Sequence, residues 1–436
     1  MSSKWLYHSQ RWYKQQLVVQ KYYMNKDKHI PQGYKNSPLG IIPKEWEVKR
    51  LGDIADITSG TTPLRANSKY YDNGIIPWVK TTDLNNGTLF ETEEKVSEEA
   101  VKKTSLKLLP KGTVLVAMYG GFRQIGRTAI LGIDATINQA LSALICKDYV
   151  SSSFVLAWLN CRVNYWKRLA ASSRKDPNIT GNEVAKFPIL IPSKKEQDHI
   201  VKVLGLWDTA IEKQSELTEK LTLRKRALMQ KLLTGKKRLP RFSEKWKRMT
   251  INEFAKEVSI KNVKSEDCIV LSCTKYDGLV PSLEYFGKQI YSNDLRNYKI
   301  VPRNHFVYAT NHIEEGSIGY QTDYEKGLIS PMYTVFYTDE NIVDDSFLFA
   351  ILKSHHFIYL YQSMMEGSIN RRGGLRWDSF STIKIDLPPL NEQKAISAFL
   401  KDLDKEIELA NEKLAKLKSQ KRGLMQQLLT GKKRIK

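Results

Sequence analysis

The sequence contains the same basic segment twice, once near its middle and once at its end. A shift of 196 residues aligns Lys225–Arg238 (KRALMQKLLTGKKR) with Lys421–Arg434 (KRGLMQQLLTGKKR), and 12 of the 14 aligned residues are identical. The same shift aligns Glu196–Gln197 with Glu392–Gln393. A period this long indicates duplication of a whole domain within one chain rather than the short units of a solenoid.

Weaker similarities keep the same order in both copies. EWEVKRLGDIA (Glu45–Ala55) resembles KWKRMTINEFA (Lys245–Ala255). SFVLAWL (Ser153–Leu159) resembles SFLFAIL (Ser346–Leu352). Each copy therefore consists of a divergent segment followed by a similar one. We predict a basic, aromatic segment at 1–40, divergent domains at 41–190 and 239–386, and similar helical segments at 191–238 and 387–436.

The similar segments predict helices of about 40 residues, or about 60 Å at 1.5 Å per residue. From Ile396 to Leu428, alternating steps of four and three residues reach ten positions, nine of them apolar. This period is typical of a left-handed coiled coil. The first copy keeps seven of the ten, and three polar residues interrupt its row: Gln214, Thr218 and Lys225.

Local signals predict where these helices begin and end. Ser193–Glu196 has the spacing of a capping box, in which the serine and the glutamate bond each other's backbone N–H groups. Gly235 and Gly431 stand where a helix commonly ends in a left-handed residue.

Charge along the two helices predicts that they pair antiparallel. Residues 220–238 carry eight Lys or Arg and residues 413–436 carry nine, with no acid in either range, whereas the first part of each helix carries six acids. A parallel pair would oppose like charges over many contacts. The preference of any single helix for early acids and late bases favours the same distribution. We predict two long antiparallel helices related by a pseudo-twofold axis.

Composition indicates a partner with negative charge. The 69 Lys and Arg exceed the 47 Asp and Glu, giving a net charge of +22, which favours nucleic acid over an acidic membrane surface or a merely solvated basic exterior. The four cysteines form no CxxC pair. No apolar run approaches the ~20 residues of a membrane span, and the first residues lack the apolar stretch of a signal peptide. We expect a cytoplasmic protein without membrane contact.

The divergent segments predict compact mixed α/β domains, because short β-rich runs such as GTVLVAMY and NHFVYAT alternate with one clear helix each. Several of their loops collect side chains that suit DNA, since Arg and Lys pair with guanine, and Asn and Gln with adenine. The candidate DNA-binding residues are Lys80, Thr81, Thr82, Tyr119, Arg123, Gln124, Arg127, Arg174, Lys175, Lys275, Tyr276, Asn311, His312, Arg371 and Arg372.

Sequence motifs of catalysis are missing. The TGKK repeat lacks the upstream glycine and the Ser or Thr of a phosphate-binding loop. LPPL at Leu387–Leu390 lacks the flanking residues that amino-methyltransferases use. We expect neither a catalytic residue nor a metal ligand, and therefore no enzyme.

These motifs, in this order, resemble the specificity subunit of type I restriction-modification systems. EWEVKRLGDIA opens the first domain, TSGTTP, YYDNGIIPWVK and INQA follow within it, and each helix carries an EQ start and an LMxxLLTGKKR end. The resemblance covers about residues 36–436; the first ~35 residues have no counterpart in it.

The resemblance implies a role in reading double-stranded DNA. Each of two target-recognition domains would read one half of a bipartite site, and the coiled coil would set the spacer. Two modification subunits that bind S-adenosylmethionine would dock on it, joined by restriction subunits that use ATP and Mg²⁺, while this chain itself would bind no cofactor. The alternative is a stand-alone, sequence-specific DNA-binding regulator.

Overall fold

The structure, a computed structural model, describes residues 30–171, 178–366 and 374–435. The chain divides into two compact units. Unit 1 holds the described residues up to Lys213 and those from Leu414 onward, and unit 2 holds Gln214–Lys413. The division runs through two long helices, so each unit contains a part of both. Most of the predicted N-terminal segment, residues 1–29, lies outside the described residues.

Unit 1 is a mixture of short strands and short helices. Its strands are β1 (Tyr34–Ser37), β2 (Gly40–Pro43), β3 (Glu47–Arg50), β4 (Ala55–Ser59), β5 (Ile76–Val79), β6 (Thr88–Leu89), β7 (Glu94–Val96), β8 (Val114–Ala117), β9 (Thr128–Leu131), β10 (Thr136–Ile137), β11 (Leu141–Cys146) and β12 (Pro188–Ile191). Its short helices are α1 (Leu51–Ile54), α2 (Glu98–Lys103), α3 (Ser152–Cys161), α4 (Val163–Ala171) and α5 (Gly181–Ala185). The first long helix, α6 (Lys194–Leu232), begins here.

Unit 2 has the same mixed character. Its strands are β13 (Lys247–Thr250), β14 (Ala255–Val258), β15 (Leu271–Thr274), β16 (Gly278–Pro281), β17 (Lys299–Pro302), β18 (His305–Ala309), β19 (Ile318–Gln321), β20 (Lys326–Ile329), β21 (Tyr333–Thr338) and β22 (Lys384–Leu387). Its short helices are α7 (Ser282–Phe286), α8 (Asp345–Leu352), α9 (His355–Glu366) and α10 (Trp377–Phe380). The second long helix, α11 (Leu390–Leu429), begins in this unit.

The central sheets of the two units share one strand order. Unit 1 has β4-β11-β8-β9, with β6 added at the edge, and unit 2 has β14-β21-β18-β19. In both units a separate two-stranded ribbon pairs a strand near the start of the copy with the strand before the long helix: β3 with β12, and β13 with β22. The mixed α/β prediction is therefore confirmed, and the duplication extends to sheet topology.

Both faces of each central sheet are buried, which explains the continuous apolar runs in their strands. Successive side chains of a strand point to opposite faces. In β8, Val114 and Val116 join a core built with α3, whereas Leu115 and Ala117 pack on the other side. In β18, Phe306 and Tyr308 pack with α8, whereas Val307 packs with the opposite cluster.

The two long helices pair antiparallel within each unit. In unit 1, Lys421 contacts Asp208 and Arg434 contacts Glu196. In unit 2, Lys225 contacts Asp404 and Arg238 contacts Glu392, which are the same contacts shifted by 196 residues. In each unit the residue number rises along one helix as it falls along the other. The prediction of antiparallel pairing is confirmed, and the basic second part of each helix contacts the acidic first part of the other.

The three polar interruptions of α6 find partners. Gln214 is buried, and its Nε2 donates to the carbonyl of Ala410 over 3.1 Å. Thr218 donates to the carbonyl of Gln214, and Lys225 pairs with Asp404. A buried polar group that keeps its hydrogen bond need not weaken a helix pair. These three residues are therefore compatible with the pairing of the two helices.

The predicted capping box at the start of α6 forms only in part. The hydroxyl of Ser193 accepts a hydrogen bond from the N–H of Glu196 over 3.4 Å. The Glu196 carboxylate does not return to Ser193; it accepts from Trp46 Nε1 at 3.0 Å and from Arg434 Nε at 2.7 Å. A guanidinium is a stronger partner for a buried carboxylate than a neutral N–H. The predicted left-handed glycines after the two long helices are confirmed, because Gly235 and Gly431 have φ angles of 67° and 69°.

Trp46 and Trp246 occupy equivalent sequence positions but differ in hydrogen bonding. Trp46 Nε1 donates to Glu196, whereas the buried Nε1 of Trp246 has no hydrogen-bond partner among the described residues. Substitution with Phe removes the same atoms at both positions. A hydrogen bond to a charged group contributes about 1.5–3 kcal/mol.

We therefore expect Trp46→Phe to lower the free energy of unfolding by about 1–2 kcal/mol more than Trp246→Phe does. Urea denaturation followed by circular dichroism measures the difference. Equal losses in the two variants would show that the Trp46 hydrogen bond adds nothing beyond packing.

Candidate nucleic-acid interface

In unit 1, the loops that carry the predicted residues meet at one edge of the sheets. Strand register places Ser59 beside Ser142 and Leu141 beside Ala117. The loops that follow β4 and β8 and precede β11 therefore lie together. In the neighbouring sheet, Val79 at the end of β5 pairs with Ile137 at the end of β10. We call this set of loops, residues 60–64, 80–83, 118–127 and 138–140, the unit 1 edge.

The unit 1 edge is held together by backbone contacts. Thr61 N–H donates to the carbonyl of Ile137, and Asn138 N–H donates to that of Val79. A Cβ on Gly60 would lie 2.0 Å from the Ile137 oxygen, so only glycine fits this close approach. TSGTTP, YYDNGIIPWVK and INQA, which are distant in sequence, are thus joined in one structure.

The loop between β8 and β9 brings four of the predicted residues to the same edge. Met118 N–H donates to the carbonyl of Ala140 over 2.8 Å, which holds Tyr119 beside the 138–140 loop. Arg127 Nη1 donates to Gln124 Oε1 over 2.9 Å. Thr81 Oγ1 lies 3.5 Å from the place that a Cβ on Gly120 would take, so residues 80–82 are close to this loop.

Two predicted basic side chains of the unit 1 edge differ in whether a carboxylate already pairs with their charge. Lys80 lies between Glu93 and Glu94, with Nζ–Oε distances of 2.9 and 2.6 Å, and these hydrogen bonds raise its pKa. Its charge is already balanced inside the unit. Arg123 is exposed, and no carboxylate of the described residues lies within ion-pair distance of it. Arg123 is therefore the cation better placed to meet a phosphate or a base.

Exposed apolar side chains accompany Arg123. Leu64 is 69% exposed, Phe122 is 50% exposed and Tyr119 is 40% exposed. Side chains of this kind stack on bases, contact the thymine methyl group or wedge between base steps. The sequence prediction included Tyr119 but missed Leu64 and Phe122, whose signal is an apolar residue in an otherwise polar loop.

Unit 2 gathers its predicted residues in the same way. The loop that follows β18 lies beside the start of β21, because Ala309 pairs with Tyr333. Lys353 Nζ donates to the carbonyl of Lys275 over 2.7 Å and to that of Gly316 over 2.9 Å. It thereby ties the 275–277 turn to the 310–317 loop, which together form the unit 2 edge. Partial burial lowers the pKa of Lys353.

Lys353 is a residue that sequence reasoning missed, and its only signal is a lysine within an apolar helical segment. The residues it supports are exposed. Tyr276 is 80% exposed, and Lys275 Nζ lies 5.4 Å from its ring centroid, so a base could stack on the tyrosine beside a cation.

His312 stands in an acidic setting. Its Nδ1 lies 3.7 Å from Glu315 Oε1, and the ligand atoms of His312, Glu314 and Glu315 all lie within 4.8 Å of one another. Two carboxylates beside the imidazole oppose a phosphate contact. Asn311, which adjoins Gly374, is exposed, and its Oδ1 accepts a hydrogen bond from the Thr310 hydroxyl over 3.3 Å.

Four predicted residues lie outside the described residues: Arg174, Lys175, Arg371 and Arg372. The residues that follow the two gaps do reach the two edges. Ile179 N–H donates to the carbonyl of Met118, and Leu375 N–H donates to that of Thr310, each over 2.9 Å.

Comparison with known proteins agrees with this architecture. A family model described as the type I restriction modification DNA specificity domain matches residues 43–223 and again residues 243–419. The MjaIX specificity subunit of a type I restriction enzyme from Methanocaldococcus jannaschii is 34% identical over 198 residues, 44% of this chain and 45% of that protein. The chain thus aligns with about half the length of this relative. A putative MjaX specificity subunit from the same organism is 25% identical over 440 residues, 93% of this chain and 97% of that protein.

Solved structures share the fold. A chain from a study of complex assembly and conformational transition in the type I R-M system has a TM-score of 0.61, with 15% identity over 89% of this chain and 99% of that one. The HsdS subunit from Thermoanaerobacter tengcongensis has a TM-score of 0.52, with 15% identity over 89% and 98%. At this identity the likeness concerns the fold alone.

The fold is a duplication of one mixed α/β unit that ends in a long helix. The chain belongs to the type I restriction-modification specificity family, and it carries two DNA specificity domains. The resemblance noted in the sequence is confirmed. Among the described residues, no helix combines the length and apolar character needed to cross a membrane.

The different settings of Arg123 and Lys80 allow a direct test. In the complete complex, Arg123→Ala should weaken DNA binding. It should also make the negative slope of log affinity against log salt shallower by about 0.9, the value of one phosphate contact. Lys80→Ala, the matched control, should leave the slope unchanged, because Glu93 and Glu94 already balance that charge. Fluorescence anisotropy across a salt series measures both. A wild-type slope for folded Arg123→Ala would remove this residue from the interface.

Proposed function

We propose that this chain is the DNA-recognition subunit of a type I restriction-modification complex and that each unit reads one half of a bipartite site in double-stranded DNA. One observation carries the proposal: both units have the same strand order, yet the loops at their edges differ in length and residues. A shared scaffold suits the uniform shape of the duplex, whereas different loops suit different base sequences.

The long helices supply the spacer between the half-sites. A helix of 39 residues has a length of about 58 Å, set by the 1.5 Å rise per residue. Backbone hydrogen bonds make that length insensitive to the side chains on its surface. The complex would therefore accept one spacer length.

The helices also carry a surface for partners. Within the near-identical segments, four identical residues are exposed in both copies and have no ion pair among the described residues. They are Arg226, Gln230, Lys236 and Lys237 in the first copy and Arg422, Gln426, Lys432 and Lys433 in the second. Arg226 and Gln230 are four residues apart on one face of α6, and Lys236 and Lys237 follow the end of that helix. We call these two sets the basic stripes.

Exposed residues that stay identical while the recognition loops diverge favour two identical partners. We assign the basic stripes to two modification subunits. S-adenosylmethionine would be bound by those subunits, and ATP and Mg²⁺ by restriction subunits, so that this chain binds no cofactor and catalyses no step. The complex would act on DNA in the cytoplasm.

Charge reversal tests the two docking places. We expect Arg226→Glu or Arg422→Glu alone to leave one modification subunit bound at saturation, and the double variant to leave none, as counted by native mass spectrometry. Gln427→Glu is the matched control, because position 427 is exposed on the same helix but differs between the copies. Two subunits bound to the double variant would refute the assignment.

Activity assays separate the proposal from its alternative. The purified chain should neither methylate DNA nor hydrolyse ATP, and adding modification subunits should create methylation of a bipartite site. A stand-alone regulator would instead bind its site with full affinity and specificity before any partner is added.

A further inference from the structure

Each long helix begins with a glutamine whose side chain is completely buried. Gln197 and Gln393 are 0% and 1% exposed. Gln197 Oε1 accepts from the N–H of Ser151 over 2.8 Å, and its Nε2 donates to the carbonyls of Tyr149 and Pro192 over 3.2 and 3.0 Å. One acceptor oxygen and both N–H groups of the amide are therefore used, all by backbone groups.

Gln393 makes the same three bonds in unit 2. Its Oε1 accepts from the N–H of Asp344, and its Nε2 donates to the carbonyls of Ile342 and Pro388, each over 2.9 Å. The edge loops of the two units differ, yet these three bonds are the same in both. We call the bonds made by Gln197 in unit 1, and those made by Gln393 in unit 2, the joint of that unit.

The bonded groups belong to different parts of each unit. Pro192 and Pro388 lie two residues before the first residue of each long helix. Ser151 and Asp344 are the N-cap residues of α3 and α8, which pack against the central sheets. Each glutamine amide thus bridges the recognition sheet and the start of its long helix. In unit 2 the joint has an added bond, because the Ser397 hydroxyl donates to Asp344 Oδ1 over 2.5 Å.

The preceding residue extends the joint to the other long helix. Glu196 binds Arg434 and Trp46 Nε1, and Glu392 binds both Nε and Nη2 of Arg238 at 2.5 Å. Glutamate and glutamine therefore connect three elements within two residues: the recognition sheet, the helix that begins and the helix that ends. Buried hydrogen bonds are directional, and breaking them leaves unpaired polar groups, so this joint resists rotation.

We propose that Gln197 and Gln393 are positioning residues that fix the angle between each recognition sheet and its long helix, and that they thereby set which spacer lengths the complex accepts. The proposal rests on the function proposed above. A merely apolar contact of the same volume would hold the sheet on the helix but would permit rocking, because dispersion and hydrophobic contacts are not directional.

The test compares Gln393→Leu with wild type in the complex with modification subunits. Methylation rates are measured on duplexes whose spacer is native, or one or two base pairs shorter or longer. We expect the preference for the native spacer to fall by about tenfold, equivalent to about 1.4 kcal/mol. Discrimination against single-base changes within each half-site should stay unchanged. Gln197→Leu should act in the same way from unit 1.

A matched control separates positioning from general destabilisation. Val307→Ala enlarges a buried site in the central sheet of unit 2, away from the joint, and should lower stability without changing spacer preference. If Gln393→Leu does not fold, Gln393→Glu keeps the size and an acceptor oxygen but removes both N–H donors. Hydrogen exchange at the Asp344 amide reports whether the joint has opened.

The outcomes are distinct. Unchanged spacer preference in folded Gln393→Leu and Gln197→Leu, or an equal change in Val307→Ala, overturns the positioning role. Failure of the wild-type complex to methylate any bipartite site overturns the proposed function instead.

Discussion

A buried carboxylate at the start of each long helix depends on an arginine that follows the end of the other helix. Glu196 and Glu392 have almost no exposed surface, and Arg434 and Arg238 are their charged partners. An uncompensated buried charge is strongly destabilising, so neither helix start is stable until the opposite helix end has arrived. Antiparallel pairing is the arrangement that supplies both contacts at once.

This dependence couples distant parts of the chain. The Arg434 contact in unit 1 joins residues 238 positions apart, and Leu428 and Leu429 complete the core of the same unit. Unit 1 can therefore complete its core only when residues 428–434 are in place. Closing such a loop is entropically unfavourable and slows folding, and the apolar and charged contacts at the helix ends offset that entropy.

The duplication separates two kinds of constraint. Strand order, the buried EQ residues and the helix ends are shared between copies, because each is required for the joint and the core. The edge loops differ in length and residues, and only a few of their side chains, such as Met118 and Ile125, enter the core. Gly60 is an exception at an edge: the nearby Ile137 carbonyl leaves no room for a side chain. The edge loops are the parts that differ between the copies and suit recognition, whereas the repeated parts hold the sheets and helices in position.

The sequence by itself determined the two long helices, their antiparallel direction and the mixed α/β class. The spacing of apolar residues, the distribution of charge and the internal repeat can all be read within short segments or summed along them. It also indicated which loops would carry the candidate site. Only the tertiary structure decided which of those residues are available. Lys80 pairs with two glutamates, Lys353 holds two loop carbonyls, and Glu196 leaves its capping position for Arg434. Each of these contacts joins residues that are far apart in the sequence. The spacing of residues within one segment therefore cannot predict them.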